Sequence, residues 1–125
     1  VNTMGDQFQA SKPIYMQIVS KVQQQIIRGD LQAGSKLPSV REMAIQSGVN
    51  PNTIQRTYSE LERTGIVLTK RGQGTFVTDE HGVIAALKRE MQDEVIHSFV
   101  DSMKELGVPP EQLIQKVQDY LEGSS

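Results

Sequence analysis

Cysteine is absent from the 125 residues. That excludes a disulfide framework and any thiolate metal site, and it fits a reducing compartment. No apolar run approaches the ~18 residues of a membrane span. The opening VNTMGDQFQA holds no signal-peptide core. The chain is therefore expected to be soluble and cytoplasmic, with residues 1–10 a loose polar arm. Catalytic constellations are missing as well. There is no phosphate-binding G-x-x-x-x-G-K, no Ser/His/Asp or Cys/His set and no carboxylate pair on loops, which speaks against an enzyme and against a cofactor. Asp93, His97 and Asp101 share a helix face at spacings of four. Such groups can ligate a divalent cation, but a helix rich in surface acids produces the pattern unaided, so they are read as a solvated face without metal.

Net charge is also nearly absent, at −2, but the balance hides a division. Residues 11–78 hold nine Lys or Arg against four acids, and residues 79–125 hold four against ten. A basic module facing a polyanion, followed by an acidic module facing elsewhere, is the natural reading.

What is present centres on Leu37 to Gly65, LPSVREMAIQSGVNPNTIQRTYSELERTG. Ser39 and Glu42 make a capping box, which starts a helix at Val40. Gly48 stops it near Ser47, because glycine takes the left-handed position past a helix end at no steric cost. Asn50 as N-cap and Pro51 in the first turn open a second helix that closes at Gly65. In that helix Ile54, Tyr58 and Leu61 fall on one face and predict packing inward. Asn52, Gln55, Arg56, Ser59 and Arg63 fall on the other, with no acid among them. Amides read adenine and guanidinium reads guanine through paired hydrogen bonds, so this face suits the major groove. A solvated helix of an ordinary all-α domain is the plain alternative.

Upstream, Ile14, Ile18, Val22 and Ile26 repeat every four residues beside Val19 and Ile27, which predicts a core-facing helix from near Pro13 to Arg28. Downstream the period changes. Ile66 to Thr69 and Thr75 to Thr78 are β-prone runs around Lys70-Arg71-Gly72-Gln73-Gly74, which predicts a hairpin with a basic tip. A hairpin directly after a groove-reading helix is a wing, and its glycines let the backbone approach DNA. Asp79 to Gly82 reads as a linker with a hinge at Gly82. A long helix is expected from Val83 to about Leu106, then a turn at Val108-Pro109-Pro110, then a helix from Glu111 to Leu121, with fraying at the last three residues. Leu87, Met91, Val95, Phe99 and Met103 lie four apart, so their stripe turns by roughly 40° per step around a straight helix. One end then buries a different side from the other. A helical pair of this length cannot form a core by itself and needs a partner surface.

At this point the residues resemble a family. Pro13 to Val77 looks like the winged-helix domain of GntR-type bacterial transcription regulators. The match lies in Ile14-Tyr15, in I-x-x-G-x-x-x-x-G-x-x-L-P-S-x-R-x-x-A, in E-L-x-x-x-G and in G-x-G-T-F-V, all in order. The short tail and the Asn50-to-Arg56 helix are similar to the YtrA-like branch, whose second part is a two-helix appendage. The resemblance implies DNA contacts at Arg41, Thr53 and Gly72. Many relatives carry arginine where this chain has Pro51 and Gln55, so Gln55 and Arg56 are expected to take over base reading.

The resulting expectation is a mainly α fold with a small β-wing. Residues 11–78 form the winged helix-turn-helix, 79–82 the linker and 83–122 the dimerisation helices. Candidate DNA contacts are Ser39, Arg41, Asn50, Asn52, Thr53, Gln55, Arg56 and Ser59, with Lys70, Arg71, Gly72, Gln73, Gly74 and Thr75 from the wing. Candidate dimer residues are Leu87, Met91, Val95, Phe99, Met103, Leu106, Leu113, Val117 and Leu121. The turning stripe and the lack of a core predict a homodimer, whose twofold symmetry predicts an inverted-repeat operator on double-stranded DNA. The resemblance implies a repressor, while its small-molecule response carries over to so short a tail only as a possible, unidentified effector. The alternatives are the same regulator with a genuine ligand or metal site in its dimer interface, and a winged-helix protein–protein module without DNA.

Overall fold

Three helices and a hairpin build the first half of the chain. The computed structural model describes residues 12–123. The arm expected at residues 1–10 and the last two residues of the expected fray lie outside them. Helix α1 spans Ile14–Arg28, α2 Val40–Ser47 and α3 Pro51–Arg63. Strands β1, Val67–Lys70, and β2, Gly74–Val77, pair antiparallel with Val67 opposite Val77 and Lys70 opposite Gly74. Each strand sits one residue from its expected place. Helix α4 spans His81–Glu105, and a 3-10 turn at Pro110–Gln112 leads into α5, Leu113–Leu121. Among the described residues no helix is long and apolar enough to cross a membrane.

The core of the first unit collects one face from each element. Ile18, Val19, Val22 and Ile26 come from α1 and Ala44 from α2. Ile54, Tyr58 and Leu61 come from α3, and Leu37, Ile66, Val67 and Val77 close it. Fully burying an aliphatic side chain of this size is worth about 1.5–3 kcal/mol, which is what holds such short helices together. Thr57 is buried among these apolar groups and satisfies its hydroxyl on the Thr53 carbonyl, one turn back, at 2.8 Å. Ile14 departs from the expected stripe at 45% exposure. It is the first residue of α1, and Tyr15 beside it packs on the core.

The loop before α2 adds an element that the hydrophobic pattern did not announce. Leu37 N–H donates to Thr75 and Val77 N–H to Ser35, at 2.8 Å each, and Lys36 bridges antiparallel to Phe76. The hairpin is thereby sewn along one edge to residues 35–37.

The expected linker at 79–82 is corrected in part. Glu80 N–H donates to the Thr78 hydroxyl at 3.1 Å, and the helix already runs at His81, with Gly82 inside it. Val83, Ile84 and Leu87 then pack against the first unit's core. Their burial outweighs the low helix propensity of one glycine, about 1 kcal/mol. Leu87, expected among the dimer residues, is thus half-buried against the winged-helix core.

The first compact unit ends at Leu87 and the second begins at Lys88. The second unit has no buried residue in either α4 or α5. Val95, Leu106 and Leu121 are 69%, 77% and 76% exposed, and Phe99 and Val117 are partly open to solvent as well. Met91, Met103 and Leu113 are half-buried.

Candidate nucleic-acid interface

The approach to α2 is fixed by reciprocal capping. Glu42 N–H donates to the Ser39 hydroxyl at 3.1 Å, and Ser39 N–H donates to the Glu42 carboxylate at 2.9 Å. These bonds to Ser39, backbone first, hold the Glu42 pKa below the usual carboxylate value. Ser39 keeps its O–H free to donate outward. Arg41 stands exposed in the first turn. Tyr58 ties α3 to the same corner. Its hydroxyl donates to the Pro38 carbonyl at 2.7 Å, and burial, with the Glu42 charge second, pushes its pKa up to about 12. The group is a neutral strut at any physiological pH.

Between the two helices Gly48 takes φ 67° as α2 ends, and the chain turns into α3 within two residues. Asn50 caps α3, its side-chain oxygen accepting from Asn52 N–H at 2.7 Å. One lone pair of that oxygen is committed to the helix, and the two amide N–H donors remain for a ligand. Asn52, Gln55, Arg56 and Ser59 are exposed and Thr53 is half-buried. The two arginines of this helix differ in their partners. Arg63 forms a two-pronged pair with Glu60, Nε to Oε1 at 3.1 Å and Nη2 to Oε2 at 2.5 Å. That hydrogen bonding raises the Arg63 pKa and lowers the Glu60 pKa. Arg56 lies instead over the Tyr15 ring, its guanidinium carbon 4.1 Å from the ring centroid.

The wing tip turns at Arg71, Gly72 and Gln73, all exposed, with Gln73 N–H donating to the Lys70 carbonyl at 2.8 Å. Lys70 Nζ sits 4.5 Å from the Phe76 ring centroid. Gly74, half-buried at φ 121°, leaves room that another residue would fill: a Cβ there would lie 2.7 Å from Lys36 Cε. Thr75, also half-buried, follows it. Lys36 thus lies across the wing beside Lys70, and with Ser39, Tyr58 and Gln73 these lysines line an open cleft between the wing and the start of α2. The structure brings Ser39, Lys70, Gly72, Gln73, Gly74 and Thr75 around this cleft, and it sets Arg56 on the α1 flank of α3. Lys36 and Tyr15 belong to this surface and were missed by sequence reasoning. Lys36 lies in the stretch between α1 and α2, which carries no periodic signal, and Tyr15 entered only through the resemblance, with no contact role.

Residues 14–77 match the model of the bacterial regulatory proteins of the gntR family. The chain belongs to the GntR family. It is 52% identical over 120 residues to an uncharacterised HTH-type transcriptional regulator of Bacillus subtilis, YhcF, covering 96% of this chain and 99% of that one. It is 38% identical over 93 residues to the B. subtilis transcriptional repressor YtrA, covering 70% of this chain and 72% of that one. The latter similarity supports the YtrA-like branch of GntR proteins. Among solved structures, a GntR family regulator from Listeria monocytogenes superposes with TM-score 0.84 at 42% identity, covering 90% of this chain and 98% of that one. The AraR DNA-binding domain, solved in complex with operator ORX1, superposes at TM-score 0.51 and 30% identity over 54% of this chain and 81% of that one. The GntR chain described here is accordingly a transcriptional regulator with a DNA-binding winged helix, and its relatives are not enzymes.

Proposed function

We propose that this GntR regulator is a repressor that binds an inverted-repeat operator as a homodimer. The observation that carries the reading is the composition of the α3 surface next to a basic wing. Asn52, Gln55, Arg56 and Ser59 are exposed, no acid lies among them, and Lys36, Lys70 and Arg71 stand on the wing side. Amide and guanidinium groups read base edges, and the lysines and arginines neutralise phosphates. Arg41, Asn50 and Thr53 then position the start of α3 against the backbone. One winged helix makes too few contacts for typical specific affinity, and two copies on two half-sites are the usual remedy. The copies would pair through α4 and α5, whose exposed Val95, Phe99, Leu106, Val117 and Leu121 find no cover within the second unit. Twofold pairing predicts a palindromic site. The repressor sense follows YtrA, which carries that name. Binding-site selection from random duplex DNA is the test. Enrichment of an inverted repeat supports the reading, and no enrichment, or enrichment without a repeat, overturns it.

A further inference from the structure

We propose that Tyr15 is a positioning residue of the DNA interface: its ring carries the Arg56 guanidinium and presets the guanidinium edge for a paired acceptor on DNA. The inference rests on the DNA-binding reading above and names a contributor outside the helix-turn-helix and the wing.

The geometry comes from two contacts that meet at neighbouring positions of α3. Arg56 Cζ is 4.1 Å from the Tyr15 ring centroid, within the range of a cation–π contact. One residue on, the buried Thr57 hydroxyl is 3.4 Å from the Tyr15 carbonyl, so the Tyr15 backbone is registered on the same turn of α3. The ring itself is half-buried and packed on the core, which leaves it little freedom to swing away. No carboxylate pairs with Arg56 among the described residues. Arg63, two turns further along the same helix, shows the alternative, with its fork occupied by Glu60.

A guanidinium is planar and donates all its N–H groups in its own plane. When an aromatic ring covers one face, the donating edge stays open. The arginine then offers two parallel donors in a fixed place, and less rotamer freedom is lost when they meet an acceptor. The acceptor is a pair of oxygens on one phosphate or the O6 and N7 of a guanine, which present similar spacing. In an unanchored arginine the same contact would carry the ordering cost of a long side chain.

A double-mutant cycle tests the proposal on the full chain, using the duplex that the parent protein enriches in selection, with single base-pair variants and at several salt concentrations. Tyr15→Leu should weaken binding by about fivefold, the cost of ordering one long side chain that the ring no longer presets. Tyr15→Phe, which keeps the ring, should restore parent affinity. Arg56→Ala should weaken binding by about tenfold or more. In the Arg56→Ala background Tyr15→Leu should have almost no effect, because there is nothing left to position. An equal loss on every sequence with a shallower salt slope assigns a phosphate, and loss of preference at one base pair assigns a guanine. The proposal is overturned if Tyr15→Leu binds like the parent, if Tyr15→Phe is as weak as Tyr15→Leu, or if the two losses simply add. Should Tyr15→Leu fail to fold, Tyr15→Phe against Tyr15→His at high pH carries the same comparison of ring strength. A parent protein that enriches no DNA would sink the functional reading instead, and the two failures are thereby distinct.

Discussion

The phenol of Tyr58 joins α3 to the corner where α2 begins, and it does so only while protonated. Free tyrosine ionises near pH 10.0, and burial moves Tyr58 to about 12. Its contribution to stability is thus intact below pH 10 and is lost as pH climbs toward 12. Tyr58→Phe should lower stability at neutral pH by about 1 kcal/mol, since the Pro38 carbonyl loses its donor. It should also flatten the alkaline decline between those two values. Denaturant melts of both proteins across that window check it, and an undiminished decline in the variant would assign the alkaline sensitivity to another group. At the wing, the exposed Arg71 makes a cleaner reagent. Arg71→Ala should leave the fold unchanged, weaken all DNA sequences alike and reduce the salt slope by about one. Selective loss at one base position would instead make Arg71 a base reader.

At the scale of elements, most of the first unit was legible before any coordinates. The capping box at Ser39 and Glu42, the stop at Gly48 and the Asn50-Pro51 start are local signals, and each appears where the sequence put it. The inward set Ile54, Tyr58 and Leu61 is a periodicity, and periodicity survives folding when one face is buried. What escaped were contacts between distant residues. Thr57 and Tyr15 are 42 positions apart, and nothing in either neighbourhood marks the meeting. The edge made by residues 35–37 is too short to show an alternation. The start of α4 escaped for a different reason. Asp79 to Gly82 carries the local marks of a loop, and tertiary burial of Val83, Ile84 and Leu87 overrode them. That reversal changes a prediction. Gly82 is helical, exposed and has open space where a Cβ would go. Gly82→Ala should therefore raise stability by about 0.5–1 kcal/mol and leave DNA affinity unchanged. A changed affinity at unchanged dimer content would restore Gly82 as a hinge.

For the whole molecule, the two units differ in what holds them. The first has its own buried core, and a chain ending at Leu87 should fold and melt cooperatively without the rest. The second shows an apolar face with Phe99 near its middle and nothing buried beneath it. If a second copy covers that face, Phe99→Glu should give a species of one chain mass by sedimentation at micromolar concentration, where the parent gives two. A parent that sediments as one chain, with and without DNA, would refute pairing. The coreless tail also has a consequence for the cell. If the proposed pairing supplies that core, abundance itself becomes a variable of control. Below the dissociation constant of such a pair, the concentration of the paired form rises as the square of the chain concentration. Doubling the concentration of chains would then quadruple the paired form, and dilution of an unreplenished pool by half would cut it to a quarter with no signal molecule involved.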